Sequence, residues 1–373
     1  MEYIKYELDG VTARVALFDE GRREAHAMIE SPRDNEAFDT CARRMAEAAG
    51  RLGELAGAGM QPVFMRWFVS DAANQTPLPK ETERDCARSV IQQPPLDGSK
   101  LALWVIYQED AGFRQTSKGV WENSRGEIWT GDTHCEPDCS YNMTARYLET
   151  LAATLAARGG SLAAHCVRTW FMVRDVDVNY QGVVEGRNDL FDREGLTADT
   201  HFIASTGING SVADHRMTVA FNAYSDTSLE PGQMTYLHAR SHLNPTAEYG
   251  VAFERGTAVS RGDRRHVYIS GTASIDNRGE IVHPGDIKAQ TGRMLDNIEA
   301  LLTEGGCEWN DVAHLIVYLR DVADAPVVRE IFARRFPDIP TVTVLAPVCR
   351  PGWLIETECM AIRKCRHDGY APY

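Results

Sequence analysis

No stretch of the 373-residue chain approaches the ~18 consecutive apolar residues of a bilayer-crossing helix, so the sequence offers no transmembrane span. Met1 opens into MEYIKYELDG, which lacks the basic, apolar and small-residue order of a secretory signal. The expectation is a cytoplasmic protein with no membrane contact. Positive charge is scarce too: 39 basic residues stand against 53 acidic ones, a net charge of −14. Such a surface repels phosphate backbones, which excludes nucleic acid as a general partner. A small anion remains compatible where arginines gather locally in a cleft. The nine cysteines are odd in number and contain no CxxC pair, so free thiols are expected rather than disulfides. The one hint of metal, His134, Cys135 and Cys139 in THCEPDCS, has no partner cluster at zinc spacing. Neither metal nor cofactor is expected.

What is present is periodic. IKAQTGRMLDNIEALL places Ile287, Met294, Leu295, Ile298, Leu301 and Leu302 on one helical stripe. Gly285 and Asp286 stand at its start and Gly305 and Gly306 at its end. HVYIS and HLIVYL are short and rich in β-branched and aromatic residues, as strands are. The same skeleton recurs upstream. EIWTGDT (Glu127 to Thr133) stands where YISGTAS stands in the last third, and the helix Met143 to Ala157 also stops at two glycines, Gly159 and Gly160. The strand Arg168 to Asp175 closes in Arg-Asp, as does the strand ending at Arg320 and Asp321. A fainter copy runs through helix Glu36 to Leu52, PVFMRWFVSD (Pro62 to Asp71) and SKLALWVIYQ (Ser99 to Gln108). Asp71, Asp175 and Asp321 are then equivalent ends of equivalent strands, and the chain reads as three repeats of α+β character.

The order strand, Ser270-Gly271-Thr272, Gly-Asp helix start, Gly-Gly stop, Arg-Asp strand end, helix and two strands resembles one unit of the Rid (YjgF-like) family. Rid proteins are typically trimers of single units, so the resemblance implies a covalent pseudo-trimer of chorismate-mutase-like units with a central β-barrel and outer helices. The expected units are 1–115, degenerate, then 116–230 and 231–373. Such a chain is expected to be a monomer or a weak homo-oligomer, with its small-molecule site in a cleft between units.

Chemistry concentrates in VCRPGWLIETECMAI. If Trp353 to Ile362 is a strand, Glu356 and Glu358 share a face. Two carboxylates beside Ile355, Met360 and Ile362 are costly unless paired or used, and their proximity raises one pKa, leaving a proton donor near neutral pH. A salt-bridged edge strand is the alternative. The frame from Cys349 through Arg350 to Glu356 and Glu358 is similar to the end of the chorismatases. Further likeness lies in RTWFMV (Arg168, Trp170), in NYQGVVEGRNDLF (Tyr180, Arg187), in ASTGING (Ser205, Thr206, Gly207) and in SGTASI (Gly271, Thr272, Ala273).

That resemblance implies that Glu356 protonates an enolpyruvyl methylene, that pyruvate leaves, and that Cys349 marks the form producing a hydroxybenzoate. Glu356, Cys349 and Glu358 are the expected catalytic residues. Arg168, Arg187, Tyr180, Ser205, Thr206, Gly207, Gly271, Thr272, Ala273 and Arg350 are expected to hold a small carboxylate, with Arg255 and Tyr249 as further candidates, although their segment HLNPTAEYGVAFERG has less arginine, tyrosine and proline than the chorismatase pattern. His165, His266 and His314 read as structural. Two other readings stay open. One is imine or enamine deamination, whose arginine on the penultimate strand survives here only as Arg88. The other is a silent ligand-binding protein.

Overall fold

Three sheets of six strands share one connectivity. The first runs, across the sheet, Glu2–Leu8, Val11–Phe18, Glu24–Glu30, Leu101–Glu109, Met60–Val69 and Ala87–Gln92. The second runs Arg114–Ser117, Val120–Glu122, Glu127–Thr130, Val219–Asp226, Cys166–Val173 and Ala204–Asn209. The third runs Met234–Leu237, Gly256–Ser260, Arg264–Ala273, Ile355–Lys364, Val312–Leu319 and Thr341–Leu345. In each sheet the last pair is parallel and the other neighbours are antiparallel. This computed structural model describes residues 1–31, 36–133 and 135–373, with Tyr249 described by its backbone alone. His134 and the side chain of Tyr249 therefore lie outside the described residues.

Register shows that the repeat is physical. In all three sheets the strand leading to Asp71, Asp175 or Asp321 carries a bulge that skips Val63, Val167 or Ala313, at the same distance before each aspartate. Its parallel partners are equivalent as well: Met65 faces Arg88, Thr169 faces Ser205 and Leu315 faces Thr341. A bulge leaves one residue unpaired and bends the strand, so three copies at one position impose the same bend on all three sheets. Asp71 and Asp321 each cap the short helical turn after the strand, accepting the backbone N–H of Asn74 and Ala323 at 3.3 and 2.8 Å. Asp175 does not cap with its side chain and sits at φ +47°.

Helices cover one face of each sheet. Phe38–Ala56 buries Met45, Ala49 and Leu52, Ser140–Ala156 buries Met143, Leu148 and Leu151, and Ile287–Glu304 buries the stripe read from the sequence except Ile287, which is half-buried. The latter two stop just before Gly159 and Gly306, at φ +75° and +76°, where only a glycine avoids the left-handed penalty. The first helix begins at Phe38 rather than Glu36 and continues past Leu52, because Ala56 still packs inward and only Gly57 breaks the pattern.

The opposite faces meet at the centre of the molecule. Phe64 stacks on Trp129 with centroids 4.8 Å apart, Trp129 lies 6.3 Å from Trp170, and Tyr224 is 5.8 Å from Tyr268. Polar groups join them: His26 meets His314 at 2.9 Å, and Glu24 accepts from His26 and His266 at 3.1 and 2.9 Å. These two histidines of the last sheet are structural partners, as read, while His165 receives the backbone N–H of Ser161. Backbone bonds also run around the ends of the parallel edge strands. Gln92 donates to Ser211 at 2.7 Å, Asn209 to Pro347 at 3.1 Å, and Leu96 to Thr343 at 2.9 Å, so each unit holds the next. Among the described residues no helix is long and apolar enough to cross a membrane.

Candidate active site between the middle and last units

The units differ most just after the equivalent aspartates. Asp71 leads into a helix of 4 residues and Asp321 into a short turn that continues as the 11-residue helix Ala325–Arg335, whereas Asp175 leads directly into Val176–Arg193, a helix of 18 residues. This helix lies against Ser140–Ala156 through glycines. A Cβ on Gly182 would come within 2.3 Å of Ser140 Oγ, and one on Gly186 within 2.6 Å of the Tyr141 carbonyl oxygen. The close approach aims Tyr180 and Arg187 into a cleft whose other wall is the last unit. There the edge of the Tyr180 ring abuts Gly207, where an added Cβ would stand 2.7 Å from Cε2 of the ring.

Strand Ile355–Lys364 forms the last unit's wall. It is an interior strand, paired on both sides, not the edge strand of the alternative reading. It begins two residues after Trp353, which closes the preceding turn and donates its Nε1–H to the Ser274 carbonyl at 3.1 Å. Glu356 and Glu358 do share a face, and the neighbourhood gives them opposite fates. Glu358 accepts Nη2–H of Arg168 and Nε1–H of Trp170, each at 2.8 Å, and a hydroxyl from Thr206. Arg66 of the first unit stands 4.0 Å away. Glu356 lines the cleft, is 5% exposed and makes no ion pair among the described residues.

Burial, and then the Glu358 charge, push the Glu356 carboxyl up to about 8, against the pull of Arg168 and Arg255. Glu356 is therefore protonated at neutral pH. Cys349, hydrogen-bonded to Tyr180, is pushed up to about 12 by burial and by Glu356, and stays a neutral thiol. Burial, followed by Cys349, raises the Tyr180 phenol well above its ordinary value. Anion-binding groups face this donor. Arg187 is 1% exposed, and its Nε and Nη2 have no hydrogen-bond partner among the described residues. Arg255 bonds the Asn244 carbonyl and side-chain oxygen at 3.2 and 3.1 Å. Val251, Phe253, Ile275 and Trp353 supply apolar walls to the cleft.

Of the residues singled out from the sequence, Glu356, Cys349, Tyr180, Arg187, Ser205, Gly207, Gly271, Ala273 and Arg350 line this cleft together. Arg168, Thr206, Thr272 and Glu358 do not. Arg168 is spent on Glu358, with its own pKa lowered by burial. Thr206 and Thr272 are buried in hydrogen bonds, the latter to the Ser270 carbonyl. Val251, Phe253, Ile275 and Trp353 were not singled out, because apolar residues in loops carry no periodic signal. Arg88 instead faces Asp132 at 3.2 Å in a separate groove between the first and middle units. None of the nine cysteines forms a disulfide, and no group of three His, Cys, Asp or Glu side chains among the described residues is placed to hold a metal.

Gly271 sets the acid's position. A Cβ there would fall 2.0 Å from Glu356 Oε1, and Gly271 lies in the strand Arg264–Ala273, where alanine is tolerated by the backbone. Gly271→Ala is expected to leave the fold intact and swing the carboxyl aside, lowering turnover by roughly 100-fold, as for a misplacement of about 1 Å. Thermal melting together with steady-state rates checks this, and unchanged rates would show that the carboxyl position is not critical.

Residues 251–363 match the family described as endoribonuclease L-PSP. A RutC family protein of Pyrococcus horikoshii is 39% identical over 123 residues, which is 32% of this chain and 90% of that protein. The chain belongs to the Rid (YjgF-like) family. Likeness extends beyond one unit: a 3-hydroxybenzoate synthase of Streptomyces hygroscopicus is 27% identical over 212 residues, 51% of this chain and 62% of that enzyme's length. A crystal structure of a chorismatase superposes with a TM-score of 0.61 at 20% identity, covering 81% of this chain and 93% of the other. The three-unit Rid architecture is thus a shared fold.

Proposed function

We propose that this protein is a chorismatase-like enzyme that cleaves an enol ether of a small carboxylate of the chorismate type by general acid catalysis, releasing pyruvate. The observation that carries this reading is a buried, proton-bearing Glu356 facing the unpartnered guanidinium of Arg187 across one cleft. Arg187, with Arg255 and Arg350, holds substrate carboxylates. Glu356 gives its proton to the terminal methylene carbon of the enol ether, and the vinyl π electrons form the new C–H bond. The adjacent carbon becomes an oxocarbenium ion and is captured by water, whose first proton returns to Glu356. Collapse of the resulting hemiketal breaks the bond between that carbon and the ring oxygen, passes the remaining hydroxyl proton to the ring oxygen and frees pyruvate. Cys349 and Tyr180, neutral and hydrogen-bonded to each other, line the side of the cleft where this capture is decided.

Likeness to a 3-hydroxybenzoate synthase supports the substrate class. The ion pair that occupies Arg88 in the groove between the first and middle units gives no support to deamination there. Incubation with chorismate, and separately with a 2-aminoacrylate-generating system, while pyruvate and ammonia are measured, decides the matter. Pyruvate from chorismate is expected, and ammonia release alone would overturn the reading.

The pH dependence comes from the acid. Glu356 acts when protonated and its pKa lies at about 8, so turnover is expected to be level below that pH and to fall as pH rises through it. A profile that rises through pH 8 would contradict the acid role. A single chain supplies all three unit interfaces, so we further propose that it acts as a monomer, which light scattering tests.

A further inference from the structure

Thr206 carries a hydroxyl at which the middle and last units join beneath the acid. Its Oγ1 accepts Nη2–H of Arg168, accepts the backbone N–H of Gly271 at 2.9 Å, and donates to Oε2 of Glu358. The hydroxyl has no capacity left over, which is why it makes no contact in the cleft. Gly271 is the residue against which Glu356 Oε1 packs, and a Cβ there would also lie 3.2 Å from Thr206 Cγ2. One side chain of strand Ala204–Asn209 therefore touches both things that define the acid's setting: the carboxylate beside it and the backbone beneath it.

We propose that Thr206 is a positioning residue for Glu356, holding from the middle unit both the Glu358 carboxylate and the Gly271 backbone on which the acid rests. This rests on the reading of Glu356 as the proton donor. Other charged and titratable groups come from every element packed around the pair: Arg168 from strand Cys166–Val173, Arg66 from Met60–Val69, Tyr318 from Val312–Leu319, Tyr180 from Val176–Arg193, and Arg255 and Cys349 from the cleft wall. None of them bonds both Glu358 and the Gly271 backbone. Arg168 and Trp170 hold Glu358 alone. Removing the Thr206 hydroxyl takes away one of the three hydrogen bonds that fix Glu358 beside Glu356 and the support under Gly271, loosening the setting that keeps Glu356 protonated.

The test is the titration of the Glu356 carboxyl in ligand-free protein, monitored by infrared difference spectroscopy with Glu356→Gln as the assignment reference, beside the pH profile of turnover. Thr206→Val keeps the shape and removes the hydroxyl. It is expected to move the Glu356 titration to lower pH by about one unit and to lower kcat more than it changes KM. Thr206→Ser keeps the hydroxyl and is expected to titrate like the wild type. Should Thr206→Val fail to fold, Thr206→Ala, which adds no volume, carries the same expectation. An unshifted carboxyl in the hydroxyl-free variants, or a serine variant that behaves like valine, overturns the proposal. Because the spectroscopic titration needs no substrate, it judges Thr206 even if no enol ether is turned over, an outcome that would defeat the functional reading alone.

Discussion

Glu356→Gln is expected to lower pyruvate release by roughly 100-fold or more, the usual range for loss of a general acid, while substrate still binds. Glutamine keeps the size and a hydrogen-bond donor but has no proton to give to carbon. The site makes this substitution unusually clean, because Glu356 makes no ion pair among the described residues that the change would break, and it already stands uncharged at neutral pH. Folding should therefore be untouched, and the pH dependence of binding above about pH 8 should vanish with the carboxyl. Glu358→Gln makes the contrast. It strands Arg168 without its carboxylate in the interior, where removing one partner of a buried pair costs about 3–5 kcal/mol, so its main effect is on stability. Rates, ligand affinity and melting temperature for both variants check these expectations, and full pyruvate release by Glu356→Gln would end the acid role.

Arg187→Leu is expected to improve stability and damage function together. The guanidinium is 1% exposed with two nitrogens that bond nothing among the described residues, and an unsatisfied buried polar group costs about 1–3 kcal/mol. Phe171 and Phe253, with centroids 6.0 and 5.9 Å from the guanidinium carbon, ease this cost only in part. Leucine removes the cost and fits the apolar surroundings, so the melting temperature should rise. A substrate carboxylate loses its partner, and at about 1.5–3 kcal/mol for a hydrogen bond to a charged group KM should rise by roughly 10- to 100-fold. Stability held at the expense of function is the usual signature of a site kept for a ligand. A variant that melts lower and binds as well would mean that Arg187 serves the fold.

The sequence displayed the repeat, the helices and the shared face of Glu356 and Glu358, because these depend on spacing within one segment. Period two put the two carboxylates on one side of a strand, and Gly159 and Gly306 marked helix ends through a backbone conformation that favours glycine. It did not display which carboxylate would be neutral. That depends on Arg168 and Trp170, which meet Glu358 only when two units dock, and no periodicity links residues so far apart along the chain. The same blindness made Arg168 and Thr206 look like substrate contacts. They sit in the right strands but spend their hydrogen bonds on the last unit before a ligand can reach them.

The shared register also says what fusing the units has allowed. Glu356 pairs with Tyr318, and the positions equivalent to Tyr318 pair with Ala220 in the middle unit and Ala102 in the first. A homotrimer built from one gene must repeat any residue at every interface, so it cannot keep a neutral acid at one and a methyl group at the other two. One continuous chain escapes that rule: duplicated copies diverge separately, and two interfaces become scaffold while the third specialises. Such a molecule should titrate with one equivalent of a tight inhibitor per chain, and selection on two of its three junctions should answer to packing alone.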